Sequence, residues 1–327
     1  MSFMPSKPSC RIVFLDSRPL NPGDLSWAPL EQLGHFVAYD KTEEADIIAR
    51  AADADIILLN KTPLSRHTLS QLPKLRLIGV AATGYDVVDV KAARELGIPV
   101  CNCAAYGTMA VAQMTVAHLL NVCNKVGHYA EAVKAGFWCQ SPDFCCWDQP
   151  LFELEGKRLA IVGAGHIGLQ VLALLRTFGM QLFAVTSRPA GDLPADVRKL
   201  TLEEAFATCD VVSLHQPLTE SNRNMVCAAL LAKAKPGLIL INTARGRLVN
   251  EYDLAQALHE GRIGAYCTDV LADEPPSPDC PLLSSPNTFI TPHVAWASQQ
   301  ARQRIMDMLC QHIRHFQQGH PTGVVNP

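Results

Sequence analysis

Short apolar runs recur along the N-terminal third of the chain, and amphipathic stretches lie between them. The runs are rich in β-branched residues and end near a polar residue or a glycine, which is typical of strands. The predicted strands are residues 12–15, 36–39, 56–59 and 77–81, and the predicted helices are residues 43–51, 65–72 and 89–96. Because strands that alternate with helices form parallel sheets with right-handed crossovers, this third predicts an α/β layer.

A second series of the same kind begins at residue 159. Its predicted strands are residues 159–162, 181–185, 211–214, 238–241, 264–268 and 289–290, and a helix is predicted over residues 169–178. Between the two series, residues 108–123 are too hydrophobic on all sides for a surface helix, and residues 137–152 are rich in aromatic residues and cysteine. This apolar surface indicates either burial at a domain or subunit interface or an ordinary core helix.

Composition narrows the classes of function. The chain has 327 residues, which predicts about two domains, and its 48% hydrophobic and 18% charged residues suit a large globular core. The net charge of −3 and the scattered basic residues argue against a nucleic-acid partner. No apolar run reaches the 18 or more residues of a membrane span, and residues 1–10 lack the apolar core of a secretory signal. We therefore expect a cytoplasmic protein.

The 12 cysteines fit that expectation, since an intracellular chain of this length keeps its thiols reduced and packs them as small hydrophobes. The close pairs Cys101/Cys103 and Cys145/Cys146 have no matching His or Cys cluster at zinc-finger spacing. We expect no metal site.

A glycine-rich turn follows the strand at residues 158–162. Gly163-Ala-Gly-His-Ile-Gly168 stands between a predicted strand and a predicted helix, and another strand follows, which is the context of a dinucleotide site. Gly163 permits the tight turn, Gly165 lets the backbone approach a pyrophosphate, and Gly168 lets helix and strand pack closely. The N–H groups at the start of the helix would then bind the phosphates.

The second strand of this unit ends in Thr186-Ser187-Arg188, where NAD enzymes usually carry an acidic residue for the ribose 2′-hydroxyl. Hydroxyls and a guanidinium fork suit a 2′-phosphate instead. The sequence favours NADPH as the cofactor and leaves NADH open, since Arg188 is equally compatible with a solvated loop.

Three polar segments follow three later strands. They are Asn242-Thr-Ala-Arg245, the stretch from Asp269 to Glu274, and Thr291-Pro-His293. The carboxyl ends of parallel strands meet at the edge where open α/β sheets bind ligands, so Arg245, Glu274 and His293 are expected to converge there. Each residue alone also has a structural explanation: a strand cap, a turn residue before two prolines, and a buried histidine.

These motifs, together with Ala81-Ala-Thr-Gly-Tyr-Asp-Val-Val-Asp89, make the chain resemble the D-isomer-specific 2-hydroxyacid dehydrogenase family, and above all its glycerate dehydrogenase (hydroxypyruvate reductase) branch. The resemblance covers nearly the whole chain. It implies an α/β fold in which a Rossmann-type doubly wound parallel sheet is inserted into a second, flavodoxin-like substrate domain. The expected domains are residues 105–296 for the dinucleotide and residues 1–104 with 297–327 for the substrate.

The resemblance also implies roles for individual residues. Arg245 would bind the carboxylate of a small 2-keto acid, His293 would donate the proton that follows hydride transfer, and Glu274 would orient His293. Substrate contacts are expected at Thr83, Gly84, Tyr106, Arg245 and His293. Cofactor contacts are expected at Gly163, Gly165, His166, Ile167, Gly168, Thr186, Ser187, Arg188, His215, Gln216, Pro217, Thr243, Ala244, Asp269 and Thr108.

Several alternatives remain at this point. Family members usually have Glu where this chain has Gln113, and Glu274 argues against formate as the substrate. A broader 2-keto-acid reductase fits the same residues. Oxidation of 3-phosphoglycerate is disfavoured, because the polar tail ending at Pro327 resembles no regulatory domain and no extra basic cluster is evident. A nucleotide-sensing corepressor with this fold would show no turnover with NAD(P)H and hydroxypyruvate. A homodimer is expected by resemblance, through residues 108–152 of the cofactor domain.

Overall fold

The computed structural model describes residues 10–327, which form two compact units. Residues 10–107 and 297–327 make up the first unit, and residues 108–296 make up the second. The chain leaves the first unit three residues beyond the expected boundary at 104/105 and returns at the expected residue, 297. The polar N-terminus, on which the expectation of no secretory signal rests, falls almost entirely outside the described residues.

The first unit is built on a parallel sheet whose order is β2-β1-β3-β4-β5. This is the flavodoxin-like order that the resemblance implied. The strands β3 and β4 are buried at every position, as expected for a sheet covered on both faces. The strands are β1 (Arg11–Phe14), β2 (His35–Ala38), β3 (Ile56–Leu59), β4 (Leu77–Val80) and β5 (Val100–Asn102). Strand β5 was not predicted.

The second unit is built on a larger parallel sheet with the order β12-β11-β10-β9-β6-β7-β8. The six strands from β6 to β11 have the Rossmann order, and β12 adds one more strand at the edge next to β11. Its strands are β6 (Arg158–Val162), β7 (Gln181–Val185), β8 (Val197–Lys199), β9 (Val211–Leu214), β10 (Leu238–Asn242), β11 (Ile263–Thr268) and β12 (Thr288–Ile290). Strand β8 was not predicted. The expected doubly wound fold is confirmed.

The helices connect these strands. They are α1 (Ala28–Glu31), α2 (Ile47–Ala51), α3 (Arg66–Ser70), α4 (Val90–Glu95), α5 (Thr108–Asn124), α6 (Val126–Lys134), α7 (His166–Arg176), α8 (Leu202–Thr208), α9 (Ala228–Leu231), α10 (Glu251–His259) and α11 (Gln299–Gln317). Helix α7 begins three residues before the predicted residue 169, because Gly165 is its N-cap and the helix starts inside the glycine motif.

Helix α5 buries one side in the core of its own unit, where Ala112, Leu119 and Val122 pack against α7 and strands of the large sheet. For that side the core-helix explanation holds. The following residues 126–151, here called the arm, include no buried residue. In residues 10–327 no helix has the length and apolar character needed to cross a membrane, and no group of three metal-ligating side chains comes together.

Candidate active site

The three polar segments predicted to converge lie at neighbouring strand ends. Strand β10 pairs with β11 up to Asn242 and Thr268, and β11 pairs with β12 up to Thr268 and Ile290. The loops after these strands therefore start side by side at the carboxyl edge of the large sheet. They carry Arg245, Glu274 and His293 respectively, so the expected convergence has a topological basis.

Glu274 and His293 are in direct contact. The Nδ1 atom of His293 lies 2.6 Å from Oε2 of Glu274, and each side chain is about one third exposed (34% and 37%). The other carboxylate oxygen, Oε1, accepts a hydrogen bond from the backbone N–H of Leu271 at 3.0 Å. Because a carboxylate only accepts, the Nδ1 atom carries a proton, and Nε2 is the ring nitrogen left for chemistry.

The backbone of His293 has a left-handed conformation, with φ of +54°. Such a conformation is unfavourable for a residue other than glycine and persists only where its surroundings hold it. The carboxylate of Asp269, which is 2% exposed, fixes this conformation through hydrogen bonds. It accepts from the hydroxyl of Thr291 at 2.5 Å and from the backbone N–H groups of Val294 at 2.9 Å and Ala295 at 2.8 Å. Sequence reasoning missed this function of Asp269, and its expected contact with the cofactor stays a prediction.

Arg245 lies on the adjacent loop and is exposed. Its Nη1 atom donates to the carbonyl of Ala244 at 2.8 Å. The side chain of Asn242, fully buried at the end of β10, fixes this loop by donating to the carbonyl of Arg245 at 2.9 Å and accepting the N–H of Ala244 at 3.1 Å. A planar guanidinium at this edge is suited to bidentate binding of a carboxylate.

The glycine turn has the geometry of a diphosphate cradle. Gly163 has φ of +104°, and a Cβ atom there would lie 2.8 Å from the backbone carbon of His215. A Cβ atom on Gly168 would lie 2.1 Å from the carbonyl oxygen of Gly163, whereas one on Gly165 would meet nothing within 4 Å. The open space therefore lies at Gly165, before the first helical residues His166 and Ile167, whose N–H groups face outward from the helix end.

Next to this turn, His215 carries a buried polar atom without a partner. Its Nε2 atom is 2.8 Å from the hydroxyl of Ser213, while Nδ1 has no hydrogen-bond partner among the described residues. Burial lowers the pKa of His215 to about 3, so the ring is neutral. A buried unpaired nitrogen is unfavourable unless a ligand or water satisfies it, which fits the expected contact with a dinucleotide.

The residues after β7 border an open hollow of about 630 Å³. Thr186 and Ser187 line the hollow, and the N–H of Arg188 donates to the Thr186 hydroxyl at 3.1 Å. Lys199 also lines it and donates to the carbonyl of Arg188 at 2.6 Å. Lys199 was not anticipated, because strand β8, which it ends, was not predicted.

The remaining expected cofactor contacts lie at the start of α5 and in the loops after β9 and β10. Thr108 begins α5, the hydroxyl of Thr243 contacts that of Thr115 at 2.9 Å, and the carbonyl of Pro217 accepts from Asn222 at 2.8 Å. Gln216 lines the same hollow as Thr186.

The expected substrate contacts Thr83, Gly84 and Tyr106 belong to the first unit. The hydroxyl of Thr83 donates to the carbonyl of Cys103 at 3.1 Å, and the carbonyl of Tyr106 accepts from Arg304 at 2.7 Å. The binding roles of these three residues stay predictions.

Comparison with known proteins agrees with this geometry. Residues 116–295 match the family model described as the D-isomer specific 2-hydroxyacid dehydrogenase, NAD binding domain. A hydroxypyruvate reductase from Blautia hydrogenotrophica is 42% identical over 97% of this chain and 99% of its own length. A glycerate dehydrogenase from Methylorubrum extorquens is 38% identical, covering 96% of this chain and 98% of the relative.

Solved structures show the same fold. An acyclic imino acid reductase, solved in complex with NADPH and D-Arg, superposes with a TM-score of 0.82 at 26% identity, over 96% of this chain and 99% of the other. The resemblance stated from the motifs is thereby confirmed. The chain belongs to the D-isomer-specific 2-hydroxyacid dehydrogenase family.

Proposed function

We propose that the protein reduces hydroxypyruvate to D-glycerate, or glyoxylate to glycolate, with NAD(P)H, and that the reaction between hydroxypyruvate and D-glycerate is reversible. The observation that carries the proposal is the 2.6 Å contact between His293 and Glu274, whose loops follow β12 and β11 and start beside the loop of Arg245. A paired imidazole beside a guanidinium is what reduction of a 2-keto acid requires. The names of the two curated relatives supply the substrate class.

In this proposal Arg245 binds the substrate. Its guanidinium holds the carboxylate of the 2-keto acid and places the carbonyl oxygen beside His293. Because the loop of Arg245 is fixed by the buried Asn242, the guanidinium has a rigid base. Binding in one orientation also decides which face of the carbonyl carbon is reduced.

In this proposal His293 is the general acid and base that transfers the proton. A bound NAD(P)H supplies the hydride for the carbonyl carbon. As negative charge develops on the carbonyl oxygen, the Nε2 atom of His293 donates its proton to that oxygen. Glu274 keeps its hydrogen bond to Nδ1 throughout and stabilises the charged ring before the transfer. In the oxidative direction the neutral ring takes the hydroxyl proton back at Nε2.

The test compares initial rates for hydroxypyruvate, glyoxylate and pyruvate with each cofactor. Arg245→Ala should lower kcat/KM for hydroxypyruvate by roughly 100-fold or more, while the Kd of NADPH changes little. Arg262→Ala is the matched control, because Arg262 is exposed and precedes β11 at the opposite edge of the sheet. Equal loss of substrate turnover and cofactor binding in Arg245→Ala would contradict the assignment. A wild-type protein without any turnover would favour the sensor alternative.

We propose NADPH as the preferred cofactor. In support, Thr186, Ser187 and Lys199 line one hollow and offer two hydroxyls and a cation. Arg188 follows Ser187, and its backbone is hydrogen-bonded to Thr186 and Lys199. Glu204 lines the same hollow, but two hydrogen bonds from Thr201 hold its carboxylate and lower its pKa. That carboxylate is the feature that favours NADH as the second candidate.

The cofactor preference has a direct test. Arg188→Ala and Lys199→Ala should each reduce the kcat/KM ratio of NADPH to NADH by about tenfold, since each removes a charged partner of the 2′-phosphate. Lys233→Ala is the control, because Lys233 is exposed and pairs with Glu203 elsewhere. An unchanged ratio in both variants would overturn the preference.

We also propose that the protein is a homodimer and that the arm is covered by a second copy. In support, the arm exposes large apolar side chains: Phe144 is 88% exposed, Trp147 68% and Trp138 52%. Phe144→Glu should convert the dimer to a monomer in analytical ultracentrifugation. Tyr252→Glu is the control, since Tyr252 is an exposed aromatic residue (74%) outside the arm. A wild-type monomer at micromolar concentration would refute this assembly.

We propose that the protein is cytoplasmic. All 12 cysteines lie within residues 10–327 and none forms a disulfide, which suits a reducing compartment. Fractionation of cells that express the tagged protein would test this location, and recovery from an exported fraction would contradict it.

A further inference from the structure

Helix α5 carries two polar side chains on its buried side. Thr115 is fully buried and His118 is 6% exposed. They are three positions apart, so they lie on one face of the helix. The rest of that face is apolar and contributes to the core. A buried polar group is unfavourable unless it is hydrogen-bonded, so the partners of these two residues indicate why they are tolerated there.

Thr115 is bonded to the loop that carries Arg245. Its Oγ1 atom lies 2.9 Å from the carbonyl oxygen of Val111 and 2.9 Å from Oγ1 of Thr243. A hydroxyl has one proton and a carbonyl only accepts, so Thr115 donates to Val111. The hydroxyl of Thr243 therefore donates to Thr115. Thr243 precedes Arg245 by two residues, so this bond ties the loop to α5.

His118 is bonded to the loop that carries His293. Its Nε2 atom is 3.1 Å from the hydroxyl of Thr291, and that hydroxyl is 2.5 Å from Oδ1 of Asp269. The carboxylate takes the only hydroxyl proton, so His118 must donate from Nε2. Burial lowers the pKa of His118, so its ring is neutral near pH 7 and its single proton is on Nε2.

The chain of bonds continues to the residues next to His293. The same carboxylate that accepts from Thr291 also accepts the N–H groups of Val294 and Ala295, which follow His293 and its left-handed backbone. Thus one helix face contacts both catalytic loops through two separate hydrogen-bond chains. One chain ends at Thr243, two residues before Arg245, and the other ends at the backbone that follows His293.

We propose that Thr115 and His118 are positioning residues: α5 holds the Arg245 loop through Thr115 and the His293 loop through His118, Thr291 and Asp269. The proposal rests on the proposed reductase function for its kinetic consequences. Its hydrogen-bond pattern is independent of that function. Since the two chains end at different groups, their loss affects different kinetic constants.

Kinetics of paired variants separate a positioning role from a merely structural one. Thr115→Val leaves the Thr243 hydroxyl without its acceptor, so KM for hydroxypyruvate should rise about tenfold with kcat within about threefold of wild type. His118→Leu removes the donor to Thr291, so kcat should fall about tenfold with KM little changed.

Conservative variants test for rescue. Thr115→Ser keeps the hydroxyl and His118→Gln keeps a side-chain N–H, so each should return to within about threefold of wild type. Thr208→Val is the matched control, because Thr208 also donates to a carbonyl four residues earlier in its helix, at 2.7 Å, but lies away from both loops. Its constants should equal those of the wild type.

Three results would overturn the proposal. The first is that Thr115→Val and His118→Leu fold and keep wild-type kcat and KM. The second is that Thr115→Ser and His118→Gln lose as much activity as Thr115→Val and His118→Leu. Where a variant fails to fold, the wild-type protein alone tests the proposal. Its ¹⁵N spectrum at pH 7 should show His118 as the neutral Nε2–H form. The His118 signals are those absent from the spectrum of His118→Gln. The Nδ1–H form would refute the His118 chain. Because that spectrum needs no turnover, it distinguishes failure of this proposal from failure of the reductase function.

Discussion

Gly246 packs against the loop of Glu274 so closely that no side chain fits between them. A Cβ atom on Gly246 would lie 1.9 Å from the backbone carbon of Leu271 and 2.4 Å from the nitrogen of Ala272. Since carbon atoms pack at roughly 3.5–4.0 Å, Gly246→Ala would force one backbone to retreat by about 1.5 Å. The neighbours are main-chain atoms, so no side-chain rotation relieves the clash.

That displacement acts on the contact between Glu274 and His293. The N–H of Leu271 holds Oε1 of Glu274 at 3.0 Å, while Oε2 contacts His293 at 2.6 Å. A shift of about 1.5 Å at Leu271 breaks one of these bonds, and misplacement on this scale lowers catalysis by roughly 100-fold. Overpacking of this kind also destabilises a core by about 1–3 kcal/mol, or several degrees in Tm for a unit of this size.

We therefore expect Gly246→Ala to lower kcat/KM for hydroxypyruvate by roughly 100-fold and to lower Tm by several degrees. Steady-state kinetics and a thermal melt measure the two effects. Gly191→Ala is the control, because a Cβ atom at Gly191 meets nothing within 4 Å. A Gly246→Ala protein with kcat/KM within twofold of wild type and an unchanged Tm would show that the two loops do not depend on this contact.

Three further predictions concern other parts of the chain. Gly165→Ala should leave Tm unchanged, since its Cβ atom meets no protein atom, but should weaken NADPH binding more than tenfold in a fluorescence titration; unchanged affinity would remove the pyrophosphate from this turn. Burial lowers the pKa of three histidines in the folded protein. Below about pH 6.5 the unfolded chain therefore binds protons that the folded chain does not. For each histidine, the free energy of unfolding should fall by up to about 1.4 kcal/mol for every unit by which the pH is lowered. They are His118, His215 and His312. Urea unfolding at pH 5.5 and 7 measures this, and equal midpoints would contradict it. Burial also raises the pKa of the thiols of Cys101, Cys123 and Cys310 to about 11, so at pH 8 they should react with a thiol reagent only after unfolding; labelling in the folded protein, detected by mass spectrometry, would count against their burial.

The central strands could be predicted because their burial requires apolar residues at consecutive positions of the sequence. Strands β3 and β9 lie at the predicted residues, since a strand covered on both faces is a short apolar run. Strand β8 escaped prediction because two of its three residues, Arg198 and Lys199, are exposed and charged. The 19-residue helix α11 was not predicted either, although its apolar residues Ala301, Ile305 and Leu309 recur at helical spacing along its buried face.

The contact between Glu274 and His293 could be predicted for a different reason. Glu274 and His293 each follow a strand of one sheet, and parallel topology brings such residues together whatever the intervening sequence. Contacts that depend on side-chain packing have no comparable rule. The bond between His118 and Thr291 joins residues 173 positions apart, and nothing in either local sequence specifies it.

Helix α5 shows where more could have been inferred. Its sequence was interpreted as apolar on all sides, yet Thr115 and His118 stand three positions apart among Ala, Val and Leu. If an apolar helix packs in a core, polar residues that share its buried face must find partners there. The partners available near a parallel sheet edge are the polar loops after its strands. A buried polar pair on such a helix is therefore itself a signal that the helix supports the site.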